Sequence, residues 1–252
     1  MSVHPLATVA PVWIDHVVMA VKDVGATATR LAAEHGLGSY RAHPAGLSGL
    51  VGRIVPCGSG YLHLLAVEDA ADAAAHALGS AVLGAVEVGR CLLSWAVATD
   101  NIDAFVSRTG RRAAVEEVTG PNGASLRRLV VGAGPAVGGA VPAIVCWDKD
   151  RGHPEHQRVD HRVDPVGITS IDLGADFGLL RSWLGPAVHD LPLKLIPGYR
   201  GLRAVTVATS IADVVVANRD GDEAPPVNRE GRATASTVLL PDCYRRVGSL
   251  EA

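Results

Sequence analysis

Residues 13–21 decide the fold: Trp13-Ile14-Asp15-His16-Val17-Val18-Met19-Ala20-Val21 has the apolar composition of a buried strand. Asp23 follows and is placed to cap a helix over Val24–His35. Gly36 suits the left-handed residue that ends such a helix. Three extended segments are predicted next: Ser39–His43, Leu50–Cys57 and Tyr61–Val67. Residues 13–67 therefore predict one strand, one helix and three further strands.

Two of these strands carry a histidine on an otherwise apolar face. In a strand that alternates regularly, His16 shares its face with Ile14 and Val18, and His63 shares its face with Tyr61 and Leu65. A buried imidazole needs a hydrogen-bonding partner. Two interpretations are open: each ring is a hydrogen-bonded core histidine, or both face a cavity that takes a metal or a substrate.

The same order of signals recurs along the chain. A strand, an aspartate that caps a short helix, a glycine and a hairpin follow one another around Asp23, Asp100 and Asp176. The second and third helices are predicted over Asn101–Thr109 and Phe177–Leu184. Such duplication predicts paired sheets around a cavity. The predicted organisation is two modules at 13–67 and 91–147, a polar connector at 148–167, a third partial repeat at 168–217 and a tail at 218–252. Between the modules, a surface helix is predicted over Glu68–Ala77, with His76 on it.

Composition excludes several classes of partner. The net charge is −3, so the composition gives no sign of the basic surface that binds nucleic acid. Aromatic residues make up only 4% of the chain, too few to predict a surface on which bases stack. No apolar run reaches membrane-spanning length, and the first residues lack the pattern of a signal peptide. The four cysteines form no Cys-x-x-Cys pair, which is typical of a reduced, cytoplasmic protein.

The chain resembles a known family through several short motifs. These are the strand beginning Ile14-Asp15-His16, the segment Arg53-Ile54-Val55-Pro56, the strand Tyr61–Val67, Trp95 and the strand ending in Cys146-Trp147-Asp148. Together they resemble the glyoxalase-like domain proteins of the vicinal oxygen chelate superfamily, which includes glyoxalase I, extradiol dioxygenases and bleomycin-resistance proteins. The resemblance implies an α+β fold of paired βαβββ modules around a cavity. It also implies a lyase, isomerase or dioxygenase that acts on an oxygen-bearing small molecule, and a homodimer.

A divalent metal is a further implication of the resemblance. His16 matches the ligand position on the first strand, and His63 stands where similar proteins usually carry glutamate. Histidine is a competent ligand for Zn, Fe, Ni or Mn. The second module offers no histidine or carboxylate in register, so His153 and Glu155 of the connector are the remaining candidate ligands. The alternative for these two residues is a solvated connector.

A metal-free enzyme or a metal-free binding protein for sequestration or resistance is the other hypothesis. Its candidate substrate-binding residues are His43, Arg53, Tyr61 and Trp95. Arg53 is a candidate partner for an anionic group of a ligand. His43 has the alternative of a solvated loop residue, and Trp95 that of a core residue. The fold alone does not choose between the two hypotheses.

Overall fold

The computed structural model describes residues 10–44, 47–119, 125–148, 152–218 and 236–238. Its strands are β1 (Trp13–Ala20), β2 (Tyr40–Pro44), β3 (Leu50–Pro56), β4 (Tyr61–Val67), β5 (Leu92–Ala98), β6 (Ala114–Thr119), β7 (Ser125–Val131), β8 (Ala143–Trp147), β9 (Pro165–Gly174), β10 (Leu193–Leu195), β11 (Gly201–Thr209), β12 (Val214–Ala217) and β13 (Ser236–Val238). Its α-helices are α1 (Val24–His35), α2 (Ala70–Ala74), α3 (Ala77–Glu87), α4 (Ile102–Thr109), α5 (Ala133–Ala136) and α6 (Phe177–Leu184).

The first eight strands form one strongly curled sheet in the order β1-β4-β3-β2-β6-β7-β8-β5. Within each module the first and last strands are parallel, and β1 pairs antiparallel with β5 across the module boundary. The sheet closes on itself where β2 meets β6, through only two residue pairs. The predicted α+β fold of paired βαβββ modules around a cavity is therefore confirmed.

Helix ends follow the capping chemistry of the sequence. Asp23 accepts a hydrogen bond from the backbone of Ala26 at the start of α1, and Gly36 ends that helix with a φ of 71°. Asp176 caps α6 in the same way. The cap of α4 is Asn101, not the predicted Asp100, since the Asn101 side chain accepts from the backbone of Ala104.

A bulge in β1 changes which side chains face the cavity. The pairing of β1 with β5 shifts by one residue between Ile14 and His16, so Asp15 is an extra residue in the strand. Ile14 consequently packs in the main hydrophobic core outside the barrel, while His16 and Val18 line the interior. The prediction that Ile14 shares a face with His16 is corrected by this bulge.

The segment predicted as a third partial repeat lies in a second sheet, whose strand order is β10-β9-β11-β12-β13. It begins at Pro165, and its apolar residues join the same core cluster as the outer face of β1 and β5. Asn218 connects the two layers: its amide accepts from the backbone of Cys91 and Leu92 and donates to the carbonyls of Leu92 and Leu202. Among the described residues, no helix has the length and apolarity needed to cross a membrane.

Candidate functional site

A cavity of about 390 Å³ occupies one end of the barrel interior, a size typical of small-molecule sites. His76, the first residues of α3 and residues of α5 form part of its wall. Its polar lining residues are His16, His63, His76, Ser94, Glu116, Glu117 and Arg128. The remaining wall is mainly apolar, with side chains such as Val18, Leu47 and Val130.

Asp15 lies fully buried beneath this cavity and accepts three hydrogen bonds. One carboxylate oxygen pairs with His16 Nδ1 at 2.5 Å, and the other accepts from Trp147 Nε1 at 2.7 Å and lies 2.9 Å from His153 Nε2. Burial alone raises the pKa of Asp15, but the hydrogen bonds from the two imidazoles outweigh it, so the pKa of this carboxyl lies well below its usual range. Asp15 is therefore an ionised acceptor at neutral pH.

Asp15 also sets the proton position of both imidazoles. The Nδ1 atom of His153 accepts from the backbone N–H of Glu155, so its Nε2 carries the proton that is donated to Asp15. In His16 the proton lies on Nδ1, against the carboxylate, which leaves the Nε2 lone pair without a partner in the described residues. Burial lowers the pKa of His16, although the hydrogen bond to Asp15 opposes this. His16 is thus a neutral imidazole with a free Nε2 at the cavity.

A partly buried arginine lines the same cavity. Arg128 Nε and Nη2 donate to one oxygen of Glu116, its partner across β6 and β7, at 3.2 and 2.9 Å. Its Nη1 donates to the hydroxyl of Tyr61 at 3.3 Å, and the Tyr61 ring stacks on His16 with centroids 4.8 Å apart. Tyr61 therefore bridges the guanidinium and the imidazole, which places a positive charge and a base at one point of the cavity.

His63 lies beside these groups and stays neutral. Its Nε2 is buried and has no hydrogen-bond partner among the described residues, and Gly52 leaves the room for the ring, since an added Cβ would lie 3.1 Å from that nitrogen. Burial lowers the pKa of His63 to about 3, and the positive charge of Arg128 acts in the same direction. His63 is therefore an uncharged ring at neutral pH.

The predicted substrate-binding residues separate in the structure. Tyr61 lies in the barrel beside His16. Trp95 borders the cavity, but it is a core residue whose indole donates to Gly139 O at 2.9 Å. Arg53 is not among the cavity-lining residues and donates to Ser39 instead. The side chain of His43, on β2, lies outside the described residues.

The predicted metal ligands do not converge. The ring centroids of His16 and His63 are 6.5 Å apart, wider than the roughly 5–6 Å of two imidazoles that share an ion at about 2.1 Å per bond. His153 is held by Asp15, and Glu155 accepts from the backbone N–H of Gly60 at 2.5 Å. In the described part of the chain, no three histidine, cysteine or carboxylate side chains are placed to hold a metal ion. The described residues therefore form no metal site of three or more such ligands.

Six residues of the site were not predicted as site residues: Asp15, His76, Ser94, Glu116, Glu117 and Arg128. Arg128 alternates with the buried residues Leu126 and Val130, so strand periodicity marks it as facing inward. Glu116 is its direct cross-strand partner, which a hairpin register would have indicated. Asp15 carried no such signal, because regular alternation places it on the opposite face from His16.

The fold has structural relatives of low sequence identity. A hypothetical protein from Staphylococcus aureus has a TM-score of 0.53 at 8% identity, over 82% of this chain and 91% of that one. Methylmalonyl-CoA epimerase from Mycobacterium tuberculosis has a TM-score of 0.38 at 19% identity, over 57% and 92% of the two chains. The Streptomyces coelicolor epimerase in complex with 2-nitronate-propionyl-CoA has a TM-score of 0.38 at 18% identity, over 53% and 95%. No curated protein matches the sequence significantly.

The sequence itself carries a family signature. The profile of the glyoxalase-like domain matches residues 14–184, which span both modules and reach α6. The match covers more than half of the chain and agrees with the paired βαβββ modules of the barrel. The resemblance expected from the motifs is confirmed: this chain belongs to the glyoxalase-like domain family.

Proposed function

We propose that this chain is a metal-independent enzyme that moves a proton at a carbon next to a carbonyl group of a small anionic substrate, as isomerases, epimerases and lyases do. The observation that carries the proposal is the pairing of two functions in one cavity. His16 presents a free Nε2 backed by the buried Asp15, and Tyr61 places that base next to the Arg128 guanidinium.

His16 is the group suited to take the proton. A base with an orienting carboxylate keeps the correct tautomer, and the imidazolium formed on proton uptake is stabilised by that carboxylate. The substrate C–H proton would move to Nε2 of His16 while the electron pair enters the carbonyl group as an enolate. Return of the proton to carbon, from the same or the opposite side, regenerates the neutral imidazole and completes an isomerisation.

Arg128 is the group suited to hold the substrate. Three of its N–H groups donate to Glu116 and Tyr61, and a guanidinium has five, so two remain for a ligand. A carboxylate and the neighbouring carbonyl oxygen of a 2-oxo acid match such a donor. The positive charge of Arg128 would also stabilise the negative charge of an enolate.

The experiment that tests the proposal is hydrogen–deuterium exchange in D₂O. We expect the protein, in the presence of a chelator, to catalyse loss of the C3 proton signal of 2-oxo carboxylates in ¹H NMR spectra. His16→Gln should slow the exchange by about 100-fold or more, the usual share of general base catalysis. Arg128→Met should raise KM strongly, because it removes the anion-binding group. His189→Gln, at an exposed histidine of the second layer, is the matched control and should retain the wild-type rate.

A metal-free binding protein is the second candidate, favoured by the mainly apolar wall of the cavity. The same NMR spectra distinguish it from an enzyme. Broadened ligand signals without exchange in wild-type protein would support binding alone and would contradict the enzymatic proposal. Equal exchange by wild type and His16→Gln would contradict the role given to His16.

A further inference from the structure

A third histidine borders the cavity and has no part in the proposed proton transfer. His76 lies between α2 and α3, and both nitrogens of its ring are buried without a hydrogen-bond partner in the described residues. It lines the same cavity as His16 and Arg128. The two helices pack on the barrel through Ala73, Val82 and Ala85, so His76 is held in the wall of the cavity.

An imidazole in this position has unused bonding capacity. In its neutral form one ring nitrogen is a donor and the other an acceptor, and burial of both without partners costs free energy. The neighbouring cavity residues Leu47, Ala77 and Leu78 have no polar side-chain atoms to satisfy them. Arg128 is the only lysine or arginine among the described residues that line the cavity. A second negatively charged group of the ligand, placed beside His76, would therefore have no lysine or arginine to pair with.

From this arrangement we infer that His76 is a second substrate-binding residue, which hydrogen-bonds a neutral hydroxyl group at the far end of the substrate. The inference rests on the proposed function, in which Arg128 holds the carboxylate end. A hydroxyl both donates and accepts, as a neutral imidazole does, and it carries no charge into an apolar part of the cavity. The substrate class is therefore a hydroxylated 2-oxo carboxylate.

Calorimetric titration with matched ligands tests the inference. The probes are ω-hydroxy-2-oxo carboxylates of increasing chain length, each with an isostere in which a methyl group replaces the hydroxyl. We expect at least one hydroxylated probe to bind wild-type protein about ten-fold more tightly than its isostere. The reason is that the methyl group of the isostere makes no hydrogen bond to the His76 ring, whose nitrogens stay unpaired in that complex. His76→Leu should reduce that preference to less than about two-fold and leave the Kd of the isostere unchanged. His189→Leu, outside the cavity, should retain the preference.

Several results would overturn the inference. These are the same preference in His76→Leu, equal weakening of both probes, or no binding by any probe of the series. Nitrogen-15 NMR of the wild-type protein gives a readout that does not depend on the variant folding: the His76 ring signals should shift with the hydroxylated probe and not with its isostere. Binding is measured without turnover, so a preference that depends on His76 in a protein without exchange activity would contradict only the proposed function.

Discussion

At the scale of single residues, the account depends on one buried carboxylate that orders its neighbours. Asp15 accepts from His16, His153 and Trp147, which come from three different parts of the chain. An ionised carboxylate is tolerated in a protein interior when hydrogen-bond donors surround it. Asp15 therefore fixes the tautomer of His16 and holds the connector residue His153 against the barrel.

The pH dependence of proton exchange should report the state of His16. Because burial lowers its pKa, the imidazole is neutral above that value, and the exchange rate should be constant through neutral pH. The rate should fall only below the ordinary histidine value of about 6.5, as protonation removes the base. The measurement is the NMR exchange rate across a pH series.

Asp15→Asn provides the matched test at the same site. The hydrogen bond and charge of Asp15 raise the pKa of His16, so their removal should move the acid limb to lower pH. The plateau should fall by roughly 10²–10⁴, since the base loses its orienting group. If circular dichroism shows that Asp15→Asn is folded, and its exchange rate falls at the same pH as that of wild-type protein, this role of Asp15 is contradicted.

At the scale of elements, the two helices between the modules pack on each other, and the first residues of α3 line the cavity. Gly79 in α3 lies so close to α2 that a Cβ there would be 2.1 Å from the carbonyl oxygen of Ala73. Gly79→Ala should force the helices apart and destabilise the protein by about 1–3 kcal/mol, the usual cost of overpacking. Thermal or denaturant unfolding measures this change.

Gly84 in the same helix is the control. An added Cβ at this position meets nothing within 4 Å. Gly84→Ala should leave stability unchanged or raise it by up to about 1 kcal/mol, because alanine is the better helix former. Equal effects of the two substitutions would show that α2 and α3 are not tightly packed.

Most helices and strands were predictable from local sequence signals, and the predictions that failed did so for physical reasons. The spacing of apolar residues and the caps at Asp23 and Asp176 identified α1 and α6 correctly. For α4, Asp100 and Asn101 are both good capping residues, and only the folded backbone selects Asn101. The helix predicted over Glu68–Ala77 is shorter in the structure, where α2 ends at Ala74 and a separate helix, α3, begins at Ala77. Packing buries the ring nitrogens of His76 at the junction of the two helices.

The candidate site was less predictable than the fold. His16, His63 and Tyr61 follow from strand alternation, and the structure brings them together. The approach of Asp15 to His16 depends on a bulge, which no local pattern announces. The contact between Arg128 and Tyr61 joins β7 to β4, residues from different modules, so only tertiary structure reveals it.

At the scale of the whole molecule, the second sheet supports the barrel from outside. Asn218 is buried, and its side chain makes four hydrogen bonds to backbone atoms of Cys91, Leu92 and Leu202. Leu92 begins β5, Cys91 comes directly before it, and Leu202 lies in β11. Asn218→Leu should destabilise the protein by about 3 kcal/mol or more, because it leaves buried backbone groups unpaired. Asn101→Ala, at an exposed helix cap, should cost about 1 kcal/mol.

The number of unfolding transitions also tests whether the second sheet supports the barrel. Since the core is continuous between the barrel and the second sheet, wild-type protein should unfold in one transition followed equally by circular dichroism and tryptophan fluorescence. Two results would show that the second sheet does not support the barrel. One is two separate unfolding transitions in wild-type protein, and the other is a loss of stability in Asn218→Leu that is no larger than the loss in Asn101→Ala.

The central claim is that His16 is a neutral base at the cavity whose tautomer is set by Asp15. Long-range ¹H–¹⁵N NMR of histidine-labelled protein at neutral pH tests it most directly, with His16 signals assigned through His16→Gln. The account predicts a protonated Nδ1 and an unprotonated Nε2 for His16. A protonated Nε2, or an imidazolium at neutral pH, would contradict it.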